Sequence, residues 1–234
     1  TPETSPRFLE DHSSPDDLIQ FHKFEGSADQ TAWLLKAIQA DIHEQELRPE
    51  DIVVINPNPL TTQREVGPAR QQLFAIDINS ELAGVSTSAD IFSKAGCVTF
   101  TGIFRAKGNE AGMVYIMNAQ DCASGWDKTA TALNRNRLFT AITRSKAWVR
   151  ILGIGPNMDL LIQEWRTLKQ NEYKLRFNYP TDEEKKLLRV INKEMRGKGW
   201  TRRKAMRAQR DQLLQAVERG EVDVDQLILE LENL

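Results

Sequence analysis

Two stretches decide the fold: Val98–Met117, VTFTGIFRAKGNEAGMVYIM, and Asn134–Gly153, NRNRLFTAITRSKAWVRILG. The first is a strand-like apolar run, then a polar turn Arg105-Ala106-Lys107-Gly108-Asn109-Glu110, then a second apolar run, Met113–Met117. The second is a helix-like segment ending in Thr143-Arg144, followed by the strand-like Ala147–Leu152. Both bring charged groups to the mouth of a parallel sheet, the place where open α/β folds bind ligands.

The remaining segments extend that pattern in both directions. Leu18–Phe24 alternates apolar and polar residues and reads as a strand. Ser27-Ala28-Asp29-Gln30 has capping-box spacing and predicts a helix with Trp33, Leu34, Ala37, Ile38 and Ile42 inward, ended by Arg48-Pro49. Ile52–Ile55 is continuously apolar, as a strand covered on both faces requires. Asn56-Pro57-Asn58-Pro59 is the turn at its end. Gly67–Leu82 reads as a helix, and so does Pro156–Leu168, with Leu160, Leu161, Ile162 and Trp165 on its apolar side. Tyr173–Tyr179 reads as a last strand. Strand and helix alternate at βαβ spacing, so the class is α/β with a mostly parallel sheet.

Length and composition allow one such domain and an appendage. The chain has 234 residues, and 40% hydrophobic content is enough for a real core. No apolar run approaches a membrane span, and no basic-then-apolar segment opens the chain, so a cytoplasmic protein without membrane contact is expected. Cys97 and Cys122 make no disulfide framework. With the scattered His12, His22 and His43 they suggest no metal site. Thr1–Asp17, rich in Pro, Ser and charge, reads as a linker or a cut edge, and 18–179 as the α/β domain. A charged helical extension, 180–234, follows. From Lys174 to Arg210 there are thirteen bases against four acids; from Asp211 onward, seven acids against Arg219. Thr181-Asp182-Glu183-Glu184 opens a helix there, and Leu227, Ile228, Leu231 and Leu234 form a later helical face. The basic run with Trp200 fits either a phosphate backbone or a solvated helix face, and the two charge blocks fit one another equally well.

The two leading stretches resemble motifs V and VI of the superfamily 1 helicases, the UvrD/Rep and RecD-like enzymes. Motif V there reads roughly T-x-H-x-A-K-G-x-E and motif VI roughly L-x-Y-x-A-x-T-R-A. The matching residues are Arg105–Glu110 and Leu138–Ser145. The resemblance implies a RecA-like fold of the P-loop NTPase type, and specifically the second RecA-like domain. It implies ATP with Mg2+ as cofactor and single-stranded DNA, or RNA, as partner.

Arg144 matches the arginine finger, a fixed guanidinium that stabilises charge on the γ-phosphate oxygens and is worth about 10³–10⁵ in rate. Glu110 matches the carboxylate that bonds the nucleotide ribose hydroxyl. Gly108 would let backbone approach the phosphates. Lys107 fits phosphate contact or turn support. On the nucleic-acid side stand Asn58, Thr101, Phe104 and Arg105. Asn58 matches the last residue of the family's Arg-Thr-Asn, while Asn56 stands where the Arg would be. Phe104 replaces a strand-contacting histidine, so it either stacks a base or belongs to the core, and the core is the simpler expectation.

No G-x-x-x-x-G-K-[ST] loop is present, and Asn118-Ala119-Gln120-Asp121 does not match the family's catalytic Asp-Glu pair. In these enzymes both lie on the first RecA-like domain, which would then be the chain's main partner and would hold most of the metal's ligands. The expected activity is that of an ATP-dependent DNA helicase in the full-length protein, with this fragment inactive alone. The alternative is a degenerate RecA-like domain kept only for binding.

Overall fold

A computed structural model describes residues 8–88, 90–174 and 179–182. Those up to Lys174 fall within one compact unit, Thr1–Leu175. In chain order the elements are α1 (Phe8–His12), α2 (Pro15–Leu18), β1 (Ile19–Phe24), α3 (Ser27–His43), β2 (Ile52–Asn56), α4 (Thr62–Ala75), β3 (Ser80–Leu82), β4 (Val98–Gly102), α5 (Ile103–Ala106), β5 (Ala111–Ile116), α6 (Lys128–Ile142), β6 (Ser145–Ile154) and α7 (Gly155–Gln170).

The six strands form one sheet in the order β1-β6-β5-β2-β4-β3, and every pairing is parallel. A parallel sheet is stable only with both faces covered. Here β2 is buried at all five positions, with Ile52 and Val54 facing one layer and Val53 and Ile55 the other. The first layer is α3 and α4, through Leu34, Ile38, Val66 and Leu73. The second is α5, α6 and α7, through Ile103, Ala106, Leu138, Ala141, Met158 and Leu161. This is a three-layer α/β architecture, the arrangement expected of a RecA-like fold.

Several expected elements shift. The capping box is not used: Gly26 is the N-cap of α3, and Gln30 is buried and bonded elsewhere. The helix ends at His43, before Arg48-Pro49. The helix expected over Gly67–Leu82 begins earlier, at Thr62, and runs through Pro68 to Ala75. Its expected last turn is instead the edge strand β3, whose three residues are too few to show a period of two. The described part of the expected linker holds α1 and α2, and Asp17 is gripped by Arg150, 3.1 Å from its carboxylate. The helix Pro156–Leu168 is α7, although Leu160 is exposed. The strand expected over Tyr173–Tyr179 lies mostly outside the described residues, and the helical readings beyond Asp182 lie wholly outside them.

Candidate functional site

In an all-parallel sheet the chain must return across a face between strands. β4 and β5 both pair with β2, so Ile103–Glu110 starts at the carboxyl ends of the strands and finishes at the amino end of β5. This corrects the expectation of a single mouth. The sequence-predicted residues fall on two opposite rims.

The amino rim holds Lys107, Gly108, Glu110 and Arg144. Glu110 directly precedes β5 and Arg144 directly precedes β6. Ala111 and Ser145 are register partners, and the Ala111 N–H donates to the Arg144 carbonyl at 3.0 Å. The two motifs therefore meet, with a carboxylate and a guanidinium on adjacent chain segments. Gly108 has φ +89° with open space where a Cβ would stand, so glycine is favoured there by backbone conformation, not crowding. Lys107, Gly108 and Glu110 are exposed.

Arg144 is half-buried. Its Nε donates to the Thr140 carbonyl at 3.2 Å and a terminal nitrogen to Thr143 Oγ1 at 3.1 Å. Both bonds run back to the end of its own helix and aim the guanidinium. Among the described residues it makes no ion pair, so its charge is uncommitted.

The carboxyl rim holds Asn58 and Thr101, with Phe104 and Arg105 on α5 just beyond. Thr101 is 0% exposed and its hydroxyl donates to the Gly102 carbonyl, so the expected strand contact through this side chain is corrected: it faces the interior. Phe104 is 71% exposed, which overturns the core reading and leaves the ring available. Arg105 is turned onto the loop after β3. It donates to the Ile91 carbonyl, and a Cβ on Gly84 would come within 2.9 Å of its Nε. Asn58 donates to Asp121 Oδ2 at 3.3 Å, and its Oδ1 accepts from the Leu60 N–H.

The sequence reading missed a buried amide chain behind this rim. Gln30 Nε2 donates to Asn118 Oδ1 at 3.0 Å, and Asn118 Nδ2 donates to Asn56 Oδ1 at 3.1 Å. The Asn118 N–H returns to Gln30 Oε1 at 3.1 Å. Asn118 sits at φ 55°, a conformation that asparagine tolerates. Three amides thus lock α3 to the ends of β2 and β5. The one available signal was a polar residue directly after each buried strand run.

A cavity of about 790 Å³, lined by Trp33, Tyr115, Trp148, Asp41 and Arg150 among others, contains none of the motif residues. In it the Tyr115 hydroxyl donates to Asp41 at 2.5 Å. Burial holds the Asp41 carboxyl above the usual range, against the pull of that bond.

The region joining the two rims is β4 through β6. Residues 98–152 match the family of the UvrD-like helicase C-terminal domain. The match spans Gly108, Glu110 and Arg144 together. No curated protein matches the chain. Among solved structures it is similar to the C-terminal domain of a possible DNA helicase from Lactobacillus plantarum, at 16% identity, with TM-score 0.45 over 61% of this chain and 79% of that one. It is also similar to an arterivirus helicase, non-structural protein 10, in complex with DNA, at 12% identity, with TM-score 0.35 over 58% of this chain and 28% of that one. No helix among the described residues is long and apolar enough to cross a membrane.

Proposed function

We propose that this UvrD-like segment is the second RecA-like domain of an ATP-dependent superfamily 1 helicase or translocase. It supplies Arg144 and Glu110 to an ATP site completed by a first RecA-like domain. The reading rests on one observation: the hydrogen bond from the Ala111 N–H to the Arg144 carbonyl, which joins the chain segment that carries Glu110 to the one that carries Arg144.

The residues fit half of a nucleotide site. Arg144 offers a positive head with no partner charge among the described residues, suited to the transferring phosphoryl group. Glu110 offers an exposed acceptor for a sugar hydroxyl, and Gly108 an unobstructed backbone turn. ATP with Mg2+ supplies the phosphoryl transfer, and the metal's ligands come mainly from the other domain. The carboxyl rim, with Asn58 and Phe104, holds single-stranded nucleic acid, DNA in the first instance.

The test is Arg144→Ala in the full-length protein, with nucleic-acid-stimulated ATPase as the readout. A loss of about 10³-fold or more is expected. An unchanged rate would favour the degenerate binding module. The 234-residue chain alone should turn over ATP negligibly.

A further inference from the structure

The turn after β2 and the loop after β5 face each other at the carboxyl rim and are tied by the Asn58–Asp121 hydrogen bond. Between them and α6 lies a polar hollow of about 240 Å³, lined by Pro57, Asn58, Asp121, Cys122, Asn134 and Arg137. Asn134 of this hollow donates to the Ser124 carbonyl, and two residues further along that loop Trp126 is 90% exposed. A tryptophan so exposed forfeits the burial that normally stabilises it, so its position calls for an occupant.

The loop holds that indole on a rigid support. Asp127 caps α6 by accepting from the Ala130 N–H at 2.6 Å. On the other side, the Gly125 N–H donates to Thr131 Oγ1 at 3.0 Å, and a Cβ on Gly125 would lie 2.4 Å from the Thr131 nitrogen. Asn134 Nδ2 fixes the same loop through the Ser124 carbonyl at 2.8 Å, while its Oδ1 accepts from Arg137 at 3.1 Å. The backbone on both sides of Trp126 is therefore set before any ligand arrives, and little ordering entropy remains to oppose stacking.

We infer that Trp126 and the Asn58–Asp121–Asn134–Arg137 hollow form a subsite for one unstacked nucleobase. The inference rests on the helicase reading above and extends it. The hollow offers donors from Asn58, Asn134 and Arg137 and an acceptor at Asp121. A phosphate would meet repulsion from that carboxylate, whereas a base edge presents both donors and acceptors. The exposed indole takes the base's face, and every base has one. A base paired and stacked within a duplex cannot reach both, so the ligand is an unpaired strand.

The test measures binding of the 234-residue chain to labelled oligothymidylate, and to an abasic oligonucleotide of equal length, by fluorescence anisotropy. Trp126→Ala should weaken oligothymidylate binding roughly five- to hundredfold, and Trp126→Phe should restore most of it. The abasic strand should bind the wild type about as weakly as oligothymidylate binds Trp126→Ala. If the wild type binds oligothymidylate and Trp126→Ala binds it equally well, the subsite is wrong and the helicase reading stands. If the wild type binds neither strand, the subsite and the nucleic-acid part of the proposed function both fall.

Discussion

Glu110 and Arg144 occupy neighbouring chain positions because the residues that follow them, Ala111 and Ser145, are register partners at the start of two parallel strands. Their chemistry differs, so their loss should be felt differently. In the full-length protein Glu110→Ala should raise the KM for ATP by the worth of a charged hydrogen bond, about 1.5–3 kcal/mol, with kcat nearly kept. Arg144→Ala should lower kcat instead. Steady-state ATPase kinetics separate the two, and matching losses in kcat would remove the division of roles.

The Gln30–Asn118–Asn56 chain is buried, so breaking it strands polar groups away from water. Asn118→Ala leaves Gln30 Nε2 and Asn56 Oδ1 without that partner and places alanine in a left-handed conformation. A loss of about 2–5 kcal/mol in urea unfolding is expected, with Asn118→Gly milder by about 1 kcal/mol. A loss below 1 kcal/mol for the alanine variant would mean that water replaces the amide.

Burial and the Asp121 charge push the Cys122 thiol from 9.0 up to about 12. Above pH 9 the unfolded chain releases this proton while the folded one keeps it. Its contribution is therefore fully present below pH 9 and is lost as pH rises towards 12. Between pH 9 and 10 wild-type stability should fall by about 1 kcal/mol more than that of Cys122→Ala, in which every other titrating group is shared. Parallel pH profiles would refute the assignment.

Two glycines should respond unequally. Gly67 lies inside α4 with no atom beyond its chain neighbours within 4 Å of an added Cβ, but it directly precedes Pro68, whose ring crowds a Cβ on a helical neighbour, so Gly67→Ala should change stability by less than about 1 kcal/mol. Gly125→Ala drives a methyl into the backbone of Ala130 and Thr131 and should cost about 1–3 kcal/mol. Thermal melts of the two variants give the comparison.

The strands of the sheet centre were readable because burial on both faces leaves an unbroken apolar run, as in Ile52–Ile55. The motif residues were readable because their chemistry is tied to short spacings. Gln30 was misread because a capping glutamine and a buried core amide look the same in one dimension. The start of α4 was misread because Gly67 and Pro68, both poor residues for a helix interior, sit in the middle of it. The division into two rims was invisible for a topological reason. Arg105–Glu110 looks like one tight turn until β4 and β5 are known to run the same way, which forces that segment across the sheet.

α6 carries Arg137 into the hollow at one rim and ends where Arg144 begins the other, about 10 Å further along its axis. A single rigid rod thus serves both places. If a strand and a nucleotide occupy those places, neither can be released by tilting this helix without disturbing the other, and the coupling needs no relay of intermediate side chains.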